Sequence, residues 1–111
     1  MRARRAGLSD VESVLAFIEQ SLPQVDPRRI AAVGHSSAGT LALLAAESNP
    51  AIGACIVFAP RVDVTRLHQD NFAILEPCFT GVRKFCADYS PINHVDRFRP
   101  PLFYFQAEGT P

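Results

Sequence analysis

An α/β fold on a parallel sheet is what this sequence predicts, and three observations carry that reading. Residues 30–33, 52–58 and Leu102–Phe105 are short apolar runs, each bounded by turn residues such as Pro, Gly, Asp or Asn. They lack the polar alternation of a half-solvated strand and read as strands covered on both faces. The segment between the first two runs is rich in alanine and leucine, as expected of a helix packed on a sheet. Strand, helix, strand, a long excursion and a third strand is the order that parallel connections require.

Taken along the chain, the first element is a helix. Met1-Arg2-Ala3-Arg4-Arg5 reads as its solvated approach, and Ser9-Asp10-Val11-Glu12 has the capping-box pattern that would start it. Val11, Val14, Leu15, Ile18 and Leu22 then recur at helical spacing and form one apolar stripe, which Pro23 ends. Asp26-Pro27-Arg28 turns the chain into the first strand. The second helix runs through residues 41–47 and stops around Ser48-Asn49-Pro50. After the second strand, residues 60–100 are irregular and punctuated by proline, with short helices near 64–69 and 81–89. Pro100-Pro101 leads into the third strand, and the 111 residues make a single domain, 1–111.

Composition narrows the function. Eleven basic and eleven acidic side chains cancel, so no field is present that would gather nucleic acid or an anionic membrane. No apolar stretch approaches the roughly 18 residues of a membrane span, and Asp10 and Glu12 stand where a signal peptide needs its apolar region. A cytoplasmic protein is the expectation. Cys55, Cys78 and Cys86 are odd in number and lack metal-ligand spacing. Cys55 reads as a core residue, while Cys78 and Cys86 are left open between a bridge and two free thiols.

The stretch with chemical content runs from Arg29 to Thr40 as Arg-Ile-Ala-Ala-Val-Gly-His-Ser-Ser-Ala-Gly-Thr. An apolar strand meets a glycine, then a serine between small residues, then a helix, which is the context of a nucleophile elbow. So tight a turn admits no bulky side chain two positions either side of the serine, and Gly34 and Ala38 stand there, with Gly39 next. The elbow would present the Ser36 hydroxyl together with the first free N–H groups of the helix, which favour negative charge. A Gly/Ser-rich turn capping an ordinary βα unit is the alternative.

Beyond the elbow the sequence resembles the core of an α/β-hydrolase, most closely the prolyl oligopeptidase and dienelactone hydrolase branches. Val25-Asp26-Pro27-Arg28-Arg29-Ile30 before Gly34-His35-Ser36 is similar to their approach to the elbow. The run from Ile52 to Ala59-Pro60 resembles their next strand. Tyr89-Ser90-Pro91-Ile92, then Arg99-Pro100-Pro101-Leu102-Phe103, resembles their approach to the strand that carries the triad acid. The resemblance covers residues 8 to about 108. It implies a partial α/β-hydrolase fold, a parallel sheet segment with flanking helices. It also implies a serine hydrolase of peptidase or esterase type, acting on a small ester or peptide through an acyl-enzyme, with no metal or organic cofactor. Ser36 would be the nucleophile and the Ser37 backbone N–H one oxyanion donor.

Departures from the pattern shape the rest. Ala38 stands where the family usually has glycine. The turn after the third strand, Gln106-Ala107-Glu108-Gly109-Thr110-Pro111, holds no aspartate, which leaves Glu108 and Asp63 as acid candidates. In this fold the histidine follows the acid, so the base is expected beyond residue 111. His35, His68 and His94 read as packing or surface residues. The expectation is therefore a truncated hydrolase whose open sheet edge favours self-association. The competing reading is a non-catalytic remnant or interaction module of the same fold. An acyltransferase would need a carrier site that the sequence does not display.

Overall fold

The computed structural model describes residues 2–109, and the three apolar runs form one sheet in it. Its strands β1 (Ala31–His35), β2 (Ala54–Phe58) and β3 (Leu102–Phe105) lie side by side in sequence order, all parallel. His35 pairs with Phe58, and Phe58 with Phe105, so the C-terminal ends of the strands finish level. That shared rim is where an open α/β sheet binds its ligands.

One face of the sheet carries the core. Helix α2 (Ser37–Ser48) crosses β1 and β2 and is buried along most of its length, as its alanine and leucine content requires. Ala42, Leu43, Ala45 and Ala46 pack there on Ile52, Cys55 and Val57. Helix α1 (Arg2–Ser21) lies over α2 and adds Leu8, Val11 and Leu15 to the cluster. Gly7 sets how closely the two helices approach, since a Cβ there would stand 3.3 Å from a methyl of Leu41.

Two sequence expectations need correction. The first helix starts at Arg2, not at the Ser9 capping box. Arginine, alanine and leucine are strong helix formers, and they carry the helix through Ser9 into the preceding residues. Nor are the strands buried on both faces. On the face opposite α2, Val33 and Phe58 stand 62% and 42% exposed, and every residue of β3 is exposed, Phe103 at 56% and Phe105 at 51%. An apolar run records only that the chain favours burial; it does not supply the partner. On that open face Phe58 and Phe105 stack on each other, ring centroids 5.0 Å apart.

The excursion forms a second, smaller cluster. Helices α3 (Val64–His68), α4 (Phe72–Leu75) and α5 (Val82–Asp88) bury Val64, Phe72, Val82 and Cys86 together. Helices α3 and α5 fall where the sequence places them; α4 and the 3₁₀ turns Gln69–Asn71 and Pro91–Arg97 are additional. Ser90 locks the ends of α3 and α5 together. Its hydroxyl accepts from the Val64 N–H at 2.8 Å and donates to the Cys86 carbonyl at 2.6 Å.

All three cysteines are free, Cys78 exposed and the other two buried. Burial, and then the Glu47 carboxylate, push the Cys55 thiol up to about 11, and burial also raises Cys86. The folded state thus holds the Cys55 proton more tightly than the unfolded chain does. Its contribution to stability is intact below the ordinary value of 9.0 and is lost as pH climbs toward about 11. Iodoacetamide at about pH 8 is expected to modify Cys78 alone in the native chain, because the thiolate is the reactive form. Peptide mass spectrometry checks this; equal modification of all three would mean that the two cores are not formed.

Candidate functional site

The turn from β1 into α2 is set by backbone contact. A Cβ built on Gly34 would lie 2.3 Å from the Ala38 carbonyl oxygen and 2.6 Å from the Gly39 nitrogen. No side chain fits there, so the strand end and the first helical turn pack backbone to backbone. Gly39 is nearly as confined, its Cβ position being 3.1 Å from Pro60 Cβ and 3.2 Å from the Gly34 carbonyl oxygen. Between them Ser36 has φ 54° and ψ −120°, in a region that non-glycine residues rarely adopt. Strain of this kind costs on the order of 1–3 kcal/mol and persists only where the surroundings impose it.

Those surroundings hold Ser36 from both sides. Its N–H donates to the Phe58 carbonyl at 2.9 Å, one step past the end of the strand pairing. Its carbonyl accepts from the Thr40 N–H at 3.1 Å and so opens the hydrogen bonding of α2. The side chain is exposed at the rim and makes no hydrogen bond to the helix end. Ser37 follows as the first residue of α2, where N–H groups have no partner within the helix and point toward the rim.

Beside this turn, a cleft of about 400 Å³ opens at the ends of β2 and β3, among Pro60, Val62, Asp63, Arg66, Leu67 and Tyr104. Pro60 belongs both to the cleft and to the contact with Gly39, so the cleft wall stands against the first turn of α2.

None of the other sequence candidates hydrogen-bonds the Ser36 hydroxyl. Asp63 caps α3, its Oδ1 accepting from the Arg66 N–H at 2.9 Å. Glu108 sits in the exposed turn beyond β3, next to Gly109. His35 shares the open sheet face with Val33, one residue before the turn. His68 ends α3, and His94 bonds the Asp88 carbonyl through Nε2 at 2.9 Å. Among the described residues no hydrogen bond links the Ser36 hydroxyl to any histidine or carboxylate, and no cluster of three or more His, Cys, Asp or Glu has metal-binding geometry.

Two residues of the site have roles that the sequence reading did not assign. Ala59, at the exit of β2, also has positive φ, 47°, and its N–H continues the sheet to the Phe105 carbonyl at 2.7 Å. Thr40 is buried behind the turn. Alanine carries no sequence signal for a left-handed backbone, and one threonine in a helix looks ordinary.

A parallel sheet with flanking helices, its first strand turning sharply through a serine into a helix, defines the chain as part of an α/β-hydrolase fold. Within that class the chain belongs to the prolyl oligopeptidase family, whose sequence profile it matches over residues 3–109. The family is of serine hydrolase type. No curated protein and no solved structure matches the chain. Among the described residues, no helix is long and apolar enough to cross a membrane.

Proposed function

We propose that this chain is the nucleophile-bearing segment of a serine hydrolase that cleaves a peptide or ester through an acyl-enzyme. One observation carries the reading. Ser36 is held in a left-handed backbone at the level rim of the parallel strands, in a turn so tight that Gly34 admits no Cβ. An ordinary βα turn needs neither feature; presenting a hydroxyl clear of the sheet needs both.

In this mechanism the Ser36 oxygen attacks the substrate carbonyl and gives its proton to a base. The Ser37 N–H, at the positive end of α2, hydrogen-bonds the oxyanion that forms. Collapse of the tetrahedral intermediate expels the amine or alcohol, and water then releases the acyl group from Ser36. The adjoining cleft lies where one side of the substrate would rest. Family membership favours a peptide over a simple ester. A non-catalytic module of the same fold is the second reading, favoured by the commitment of Asp63 to the α3 cap.

Fluorophosphonate labelling with imidazole supplied as external base separates the two. Mass spectrometry of peptides is expected to find the adduct on Ser36, and Ser36→Ala to abolish it. An adduct that persists in Ser36→Ala, or that forms on Ser37, rules out the assignment.

A further inference from the structure

Among the described residues, Ser36 and Ala59 are the two non-glycine residues with positive φ, and they stand side by side. His35 and Phe58 are partners in the parallel register, so each strained residue is the first one past its strand. Both extend the sheet by one further bond, Ser36 to the Phe58 carbonyl and Ala59 to the Phe105 carbonyl. The rim therefore continues as two neighbouring left-handed turns, neither of them stable by its own local preference.

Both turns converge on one hydroxyl. Thr40 is 2% exposed, and its Oγ1 accepts from the Arg61 N–H at 3.0 Å and donates to the Arg61 carbonyl at 2.9 Å. The Ser36 carbonyl lies 3.4 Å from the same oxygen and takes the Thr40 N–H at 3.1 Å. Arg61 is two residues beyond Ala59, and Pro60 between them packs on Gly39. The hydroxyl thus fastens the exit of β2 to the first turn of α2. Side-chain shape alone cannot do this, because the partners are a backbone donor and a backbone acceptor of one residue.

We infer that Thr40 is a positioning residue for Ser36. By clamping Arg61 its hydroxyl keeps both left-handed turns in place and so fixes the direction in which the Ser36 side chain leaves the rim. The functional meaning rests on the nucleophile reading above; the conformational claim does not. Valine at position 40 keeps the branched shape and leaves the Arg61 N–H and carbonyl without their partner. Serine keeps the hydroxyl.

The test uses the full chain as wild type, Thr40→Val, Thr40→Ala and Thr40→Ser. The readouts are amide exchange at Arg61, the Ser36 backbone angle from NMR couplings and Cα shift, and the rate of fluorophosphonate labelling in imidazole. Thr40→Val is expected to speed Arg61 exchange at least about tenfold, in line with loss of a buried hydrogen bond. It should also erase the left-handed signature at Ser36 and slow labelling at least about tenfold, with the strand pairing unchanged. Thr40→Ser should retain all three properties. Should Thr40→Val fail to fold, Thr40→Ala removes the same hydroxyl with less crowding. A left-handed Ser36 in a folded Thr40→Val or Thr40→Ala chain overturns the inference, as does a Thr40→Ser chain that behaves like valine. Absence of labelling in the wild type sinks the nucleophile reading, while the NMR readouts still decide the role of Thr40.

Discussion

Gly34→Val is expected to leave no folded chain, whereas Gly53→Ala, in the loop that leads into β2, should melt close to the wild type. Even the first atom of a side chain at residue 34 would stand 2.3 Å from the Ala38 oxygen and 2.4 Å from its carbonyl carbon. Both are backbone atoms, so no rotamer change relieves the contact; the strand end or the first turn of α2 must move. The Ser36 N–H to Phe58 and the Thr40 N–H to Ser36 depend on that packing. Overpacking ordinarily costs about 1–3 kcal/mol. A clash against fixed backbone that also breaks these bonds exceeds that range, against a total stability of about 5–15 kcal/mol for a domain. At Gly53 the nearest atom to a new Cβ is 3.6 Å away, an ordinary contact, and φ is not positive. Thermal unfolding by circular dichroism decides the matter: matching midpoints for the two variants would mean that the chain does not turn sharply at residue 34.

That contrast also explains what the sequence could reveal. The turn was legible because Gly34 and Gly39 are themselves the steric requirement: backbone packing leaves no room for a larger residue at either position. The order of strands was legible for a related reason, since short apolar runs separated by a helix leave few connections open. The start of α1 was not, because a capping box signals a helix end only where the preceding residues resist helix, and of Arg2 to Leu8 only Gly7 does. Nor was the open sheet face. Phe103 and Phe105 look the same in sequence whether or not something covers them, and the fold leaves them more than half exposed. The roles of Ala59 and Thr40 were not legible because they come from the register of β1 against β2 and from a contact 21 residues away in the chain. Asp63 is a third case: its Oδ1 accepts from the Arg66 N–H as the cap of α3, a use that composition does not reveal.

These 111 residues alone are expected to hydrolyse p-nitrophenyl acetate no faster than the Ser36→Ala variant. The turn supplies a held hydroxyl and helix N–H groups, but none of the three histidines hydrogen-bonds that hydroxyl. Without a base the serine keeps its proton at neutral pH and is a weak nucleophile. General-base assistance contributes on the order of 10²–10⁴ in rate. The oxyanion donors cannot make up the difference, because they act only on charge that attack has already begun to create. In a complete constellation, losing the nucleophile costs on the order of 10⁶ in kcat; here the same substitution should change nothing measurable in ester turnover. Imidazole alters that balance by supplying an external base. The rate of fluorophosphonate labelling at Ser36 should then rise with imidazole concentration in the wild type and stay at zero in Ser36→Ala. Ser36-dependent ester turnover without imidazole would show that a histidine of this chain reaches the hydroxyl in solution. His35→Ala, His68→Ala and His94→Ala would identify which one, and the assignment of all three to packing and surface roles would fall.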